Sequence, residues 1–193
     1  MPSHRYWHSR GYLPHFDNPA SIQGVTFRLA DSLPQSVLDH MARELEELPE
    51  EERDIERQKR IGIYLDAGHG ECLLRDHRVA EIVENALLFF DAQRYRLLAW
   101  CVMPNHVHVL AGMMEGWTLS KMVHSWKSFT AHEINLLLNR SGTVWYPDYY
   151  DRFIRDENHF AAAVNYIERN PVKARLAGEK EDWRGSSAWG GRT

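Results

Sequence analysis

Residues 103–110 read Met-Pro-Asn-His-Val-His-Val-Leu and hold the strongest chemical signal in the chain. His106 and His108 stand two apart in a run of apolar and β-branched residues. On a strand, residues i and i+2 leave the same face. Two imidazoles would then point to one side of a sheet, as a pair of metal ligands must. On a helix the same two would be splayed. Further on, Tyr166 and Asn170 are four apart in a helical stretch and share one helical face. Together these residues would supply two imidazole nitrogens, an amide oxygen and a phenol. Nitrogen plus neutral oxygen, completed by water, suits Mg²⁺ or Mn²⁺ bound to a phosphate, and Zn²⁺ is compatible with the same set. A structural zinc site would offer four protein ligands, often thiolates. A phenol is a weak nucleophile until it is activated or its target is polarised, and a metal-bound phosphodiester is such a target. Attack would leave a phosphotyrosine and a free 3′-hydroxyl. That hydroxyl can attack in its turn, so the step is reversible and needs no ATP. Two plainer readings stay open: histidines on a solvated sheet face, and a helix tyrosine that packs on the sheet. Tyr146, Tyr149 and Tyr150 compete as nucleophiles, although a turn and a strand also explain them.

The elements that must position these groups follow from periodicity. Val25–Leu29 alternates as a strand. Pro34 opens a helix over 35–48 with Leu38, Met41, Leu45 and Leu48 as its stripe. Pro49 ends it, and 50–63 continues as a charged helical stretch. Asp76 caps a helix over about 77–91. Strands over 95–102 and 106–112 flank a turn at Met103-Pro104-Asn105, where Pro cannot donate a ladder bond. A long helix runs from Thr118 or Ser120 to about Asn139, a strand over 149–154, and a last helix from Glu157 to about Asn170, halted by Pro171. This order predicts an α+β fold, the ferredoxin-like βαββαβ split with an antiparallel sheet and helices on one face. A C-terminal helix bearing Tyr166 and an acidic helical insertion at about 35–63 are added to it. The expected organisation is an irregular arm over 1–22, one domain over 23–176 and an irregular tail over 177–193.

Composition sets the outer bounds. The chain has 193 residues, 44% hydrophobic and 26% charged, which suits one soluble domain with appendages. Two cysteines without a CxxC, no membrane-length apolar run and no signal-like start predict a cytoplasmic protein. The net charge of −4 is concentrated: residues 35–58 hold nine acids against three arginines. The remainder can therefore still present a basic surface. By charge, Lys121, Arg152, Arg155 and Lys173 are candidate contacts to a DNA backbone, contacts that weaken with salt. The aromatic, basic arm at 1–22 is a candidate for stacking on single-stranded bases.

His106-Val107-His108 is also the His–apolar–His pattern known as HUH. With Met103-Pro104-Asn105 before it and Asn165-Tyr166-Ile167-Glu168-Arg169-Asn170-Pro171-Val172 downstream, the chain resembles the single-tyrosine HUH transposases. More narrowly it is similar to the REP-associated tyrosine transposases, which act on repetitive extragenic palindromes. Gly11–Phe16, Val25–Asp31 and Tyr149–Asp156 add matching pieces, so the resemblance spans nearly the whole chain. It implies His106, His108 and Asn170 as ligands of a divalent metal and Tyr166 as the nucleophile. Tyr166 would attack single-stranded DNA near the foot of a hairpin and become linked to the 5′-phosphate. It also implies a monomer or a homodimer. Two segments depart from the pattern: the acidic insertion, and the tail Trp183-Arg184-Gly185-Ser186-Ser187, where Trp-Ser-Ser is expected after a basic residue. The alternative in another class is a non-catalytic protein that binds structured nucleic acid on the same fold. Its signature is loss of the tyrosine or a histidine, and this chain has lost neither.

Overall fold

A computed structural model describes residues 7–9, 14–16 and 21–191. Its centre is a four-stranded antiparallel sheet. Strand β3 is Ile22–Arg28, β4 Tyr95–Val102, β5 His106–Met113 and β6 Tyr150–Phe153, in the spatial order β4-β5-β3-β6. Helix α3 (His77–Phe89) links β3 to β4, and α4 (Leu119–Leu137) links β5 to β6. This is the βαββαβ split that the pattern of elements predicts. The turn between β4 and β5 is closed by the Met103 amide on the His106 carbonyl at 2.8 Å.

Alternation along β5 divides the two faces. Val107, Val109, Ala111 and Met113 enter a core with Val79, Val83 and Leu87 of α3 and Met122 and Trp126 of α4. Leu110 faces the other way, into a smaller core with Cys101 and with Phe160 and Ile167 of helix α5 (Glu157–Lys173). The histidines share that second face, because the side-chain period is two. α3 and α4 therefore pack on one face, as expected, and α5 covers β4 and β5 on the other.

α4 is fastened by buried aromatics. The Trp126 indole donates to the Tyr95 hydroxyl at 3.1 Å, and the two rings meet edge to face at 5.2 Å. The Tyr95 hydroxyl in turn donates to the Leu87 carbonyl. Trp126→Ala leaves a large void and takes from the buried Tyr95 hydroxyl the donor it accepts from, leaving only its bond to the Leu87 carbonyl. It is expected to cost about 3–5 kcal/mol in urea unfolding; a loss under about 1 kcal/mol would mean that α4 is held by other contacts.

The acidic segment forms a helical hairpin, α1 (Gln35–Glu46) and α2 (Glu50–Asp66), each opening behind a proline. Arg60 bridges Glu44 and Glu56 across it. Such surface pairs contribute little. Burial of Met41, Leu45 and Leu65 does more to hold the hairpin down.

Three segments differ from expectation. The last helix does not stop at Pro171 but continues through it to Lys173. The ring only removes one amide donor, and the Ala174 amide still closes on the Asn170 carbonyl at 2.9 Å. The tail is not irregular throughout. Residues 185–187 bind the open edge of β4, with Val102 N on Gly185 O at 2.7 Å and Ser187 N on Trp100 O at 2.9 Å. An edge strand presents unpaired groups, and the tail satisfies them; Gly185 suits the close approach, since a Cβ there would lie 3.3 Å from Val102. Within the arm, β1 (Trp7–Ser9) and β2 (Pro14–Phe16) pair antiparallel. Short strands without a clean alternation escape a periodicity search. The remainder of 1–20, and the stacking role expected of it, lie outside the described residues. Among the described residues no helix is long and apolar enough to cross a membrane.

Candidate active site at the histidine pair

His106 and His108 leave β5 on the α5 side with their Nε2 atoms 3.0 Å apart. Both are buried, at 1% and 5% exposure. The outer nitrogen of each ring has a partner. Asn105 donates from Nδ2 to the His69 carbonyl at 2.9 Å, which turns its oxygen towards His106 Nδ1 at 2.7 Å. His106 therefore carries its proton on Nδ1, and its Nε2 lone pair faces the site. Gly70, beside His69, has φ +87° and packs so closely on Asp31 that a Cβ would meet its backbone oxygen at 2.8 Å. That loop cannot shift readily, which steadies the His69 carbonyl. Thr26 Oγ1, from the neighbouring β3, lies 2.8 Å from His108 Nδ1.

Helix α5 supplies the other half. Asn170 is fully buried, with Nδ2 3.1 Å from His108 Nε2, and its buried Oδ1 has no partner among the described residues. One turn earlier the Tyr166 ring stands edge-on to His108, 5.5 Å between centroids, and is 44% exposed. Because the helix continues past Pro171, Lys173 falls two turns after Tyr166 on the same stripe. Its Nζ is 5.5 Å from the Tyr166 ring and 2.7 Å from Asp66 Oδ2 at the end of α2. Asp66 Oδ1 is buried with no partner.

Burial sets the protonation states. It holds His106 well below its ordinary 6.5, with the charges of His108 and Lys173 adding to the effect. It lowers His108 to about 3, again helped by Lys173. Burial raises the Tyr166 phenol, and Asp66 adds to the rise, while Lys173 and a hydrogen bond with Asn170 oppose it. Burial pulls Lys173 down, but the hydrogen bond and charge of Asp66 outweigh it and the net shift is upward.

A stability prediction follows from the histidines. Both stay neutral in the fold, whereas the unfolded chain protonates them below its ordinary 6.5. As pH falls the unfolded state binds more protons, so stability drops. Their contribution is intact above 6.5 and is lost from there down towards about 3. The loss is up to about 1.4 kcal/mol per pH unit for each histidine. Urea unfolding across the first pH unit below 6.5 reads this directly. An unchanged unfolding free energy there contradicts it.

The donor set fits a divalent cation. Two neutral imidazole lone pairs converge, an amide oxygen beside them lacks any partner, and an amide half-turn presents that oxygen to the same point. Two ligand bonds of about 2.1 Å meeting at a right angle span about 3.0 Å, the separation of the two Nε2 atoms. Among the described residues no group of three His, Cys, Asp or Glu could hold a metal ion; the further polar group beside the two imidazoles is the Asn170 amide.

The structure thus brings together His106, His108, Asn170 and Tyr166, and adds Lys173. Arg152 is exposed on β6, opposite Gly24 and on the histidine face of the sheet, and Arg155 is exposed just before α5. Lys121 lies on α4, in the layer across the sheet from the histidines. Tyr146, Tyr149 and Tyr150 line a cavity beside β6; Tyr150 shares the histidine face of the sheet but stands two strands away from His108. Sequence reasoning missed Asn105, which it read only as a turn residue, and Thr26 and Asp66, which carry no local signal.

These features define an α+β split-sheet domain in which a His-x-His strand faces a helix carrying tyrosine and amide. The chain belongs to the IS200-like transposase family, whose model matches residues 72–170, from just after α2 to Asn170. It is 30% identical over 111 residues to the REP-associated tyrosine transposase of Escherichia coli (strain K12), an alignment covering 53% of this chain and 61% of that protein. Its fold matches a solved REP-associated tyrosine transposase bound to a REP hairpin, with a TM-score of 0.59 and 17% identity. That match covers 92% of this chain and 82% of the other. The likeness to REP-associated tyrosine transposases drawn from the motifs therefore holds.

Proposed function

We propose that this chain is a metal-dependent single-strand DNA endonuclease and strand transferase that acts at DNA hairpins. The observation that carries the reading is the convergence of two neutral histidines and the Asn170 amide, whose oxygen reaches the same point by a half-turn, beside an accessible tyrosine. The hairpin comes from the relatives: one solved structure of this fold holds a REP hairpin.

His106, His108 and Asn170 would hold Mg²⁺ or Mn²⁺, which as a Lewis acid offsets charge on the phosphoryl oxygens. Asn105 and Thr26 fix the two rings from behind, as partners of metal-binding histidines do. Tyr166 Oη would attack the phosphorus, forming the O–P bond as the P–O3′ bond breaks. The phenol proton ends on the leaving 3′-oxygen, and the 5′-phosphate stays on the tyrosine. Every group named lies in one copy of the chain, which supports a tyrosine acting in cis.

Incubating the protein with hairpin DNA bearing single-stranded flanks and Mn²⁺ is expected to give a DNA-shifted protein band on a denaturing gel, abolished by chelation. Binding of the hairpin with no such band would favour the non-catalytic reading. Arg152, Arg155 and Lys173 would meet the backbone of a strand crossing this face; Lys121 would serve only DNA that wraps to the other layer. Arg152→Ala and Arg155→Ala should each lower the slope of log affinity against log salt by about 0.7. Equal slopes for variant and wild type would remove that residue from the interface.

A further inference from the structure

The acidic hairpin α1–α2 is outside the matched segment 72–170, yet it helps to build a cavity next to the histidines. The cavity measures about 340 Å³ and lies between the hairpin and the β3–β6 side of the sheet. The sheet register ties it to the site. Tyr150, Thr26 and His108 are cross-strand partners in one row, so they share a face. Thr26 both lines the cavity and touches His108. Two strand spacings, about 10 Å, separate Tyr150 from His108.

The walls combine flat rings with polar edges. Tyr146, Tyr149 and Tyr150 line one side, and Leu38, Met41 and Leu65 of the hairpin line the other. Arg28, 7% exposed, lays its guanidinium 3.6 Å over the Tyr146 ring, which adds a planar cation to the stack. Gln35 and Asp39, hydrogen-bonded to each other at 2.8 Å, also line it and offer donors and acceptors. Aromatic planes with a few edge groups are what splayed single-stranded bases use. The charge balance selects the part of a nucleotide that enters: Arg28 and Arg57 are offset by Asp39 and Asp148 in the lining, so the cavity has no net positive charge to draw in a phosphate and suits a neutral base. The size is at the lower end of ligand pockets, room for a base but not for a duplex.

We propose that this cavity takes one unpaired nucleobase of the DNA strand that flanks the bond cut at the histidine pair. The inference rests on the proposed reading of the chain as a hairpin-directed strand transferase. It gives the acidic insertion a role in positioning that strand.

The test is an abasic scan. A hairpin oligonucleotide with single-stranded flanks of mixed sequence is made with each flank base removed in turn, and affinity is read by fluorescence anisotropy. For the wild type, one flank position, or two adjacent ones, should lose about tenfold on base removal, the worth of a stacked base. In Ala42→Trp, which fills the cavity from exposed α1, and in Tyr150→Ala, which strips an aromatic wall, removing that same base should make no further difference. Thermal melts establish that each variant is folded, and either one suffices. A penalty that persists undiminished in a folded variant overturns the proposal. So does a wild type that binds the hairpin but shows no sensitive flank position. A wild type that does not bind hairpin DNA at all overturns the functional reading beneath it.

Discussion

Tyr166→Phe is expected to lower strand cleavage at least about 10³-fold and to remove the covalent protein–DNA band entirely. The substitution deletes one oxygen and keeps the ring that packs edge-on to His108, so the fold should be nearly unchanged. Loss of a nucleophile removes the covalent route rather than weakening one interaction in it, which is why the expected effect is so large. The phenol is held above its ordinary value by burial and by Asp66, so on the proposed route little phenolate is available and the polarised target would supply the drive. Wild type and variant should be run together on a denaturing gel with labelled hairpin DNA. A band retained in Tyr166→Phe would move the chemistry to another residue, with Tyr146, Tyr149 and Tyr150 the first to examine.

His108→Ala has the second largest expected effect, and it has a readout that needs no DNA. If His106, His108 and Asn170 bind Mn²⁺, saturating metal stabilises the wild type by about 2.7 kcal/mol at a hundredfold excess over Kd. The variant should show no such shift and no metal-dependent cleavage. Its stability without metal should also fall, by about 1–3 kcal/mol, because the Thr26 hydroxyl and the Asn170 amide lose their partner. The two effects separate cleanly: a purely structural histidine would lower the melting temperature while leaving the metal-induced shift intact. Full retention of that shift in His108→Ala would remove His108 from the ligand set.

Much of this protein is legible from local pattern. The apolar, β-branched run broken at Met103-Pro104-Asn105 gives β4 and β5 nearly to the residue. The strand period of two already puts both histidines on one face, and the four-residue spacing of Tyr166 and Asn170 puts those two on one helical stripe. Thr118 and Asp76 cap their helices as their side chains predict. Pro171 misled, because a proline near a helix end removes one donor without forbidding another turn. That turn is what brings Lys173 level with Tyr166.

Local pattern along the chain is enough for the order of the elements that build the site, for the faces of β5 and α5, and for the identity of four groups able to do phosphoryl chemistry. These depend on periods of two and of 3.6 residues, which are local. Only the tertiary structure decided what those groups meet. Thr26 reaches His108 through a register set across 82 residues, and Asp66 meets Lys173 across 107. Asn105 becomes the partner of its neighbour His106 only because the distant His69 carbonyl turns its amide. The cavity under the acidic hairpin likewise exists only once α1 and α2 settle against β3 and β6. Such pairings are fixed by packing between segments far apart in the chain, and no local period encodes them.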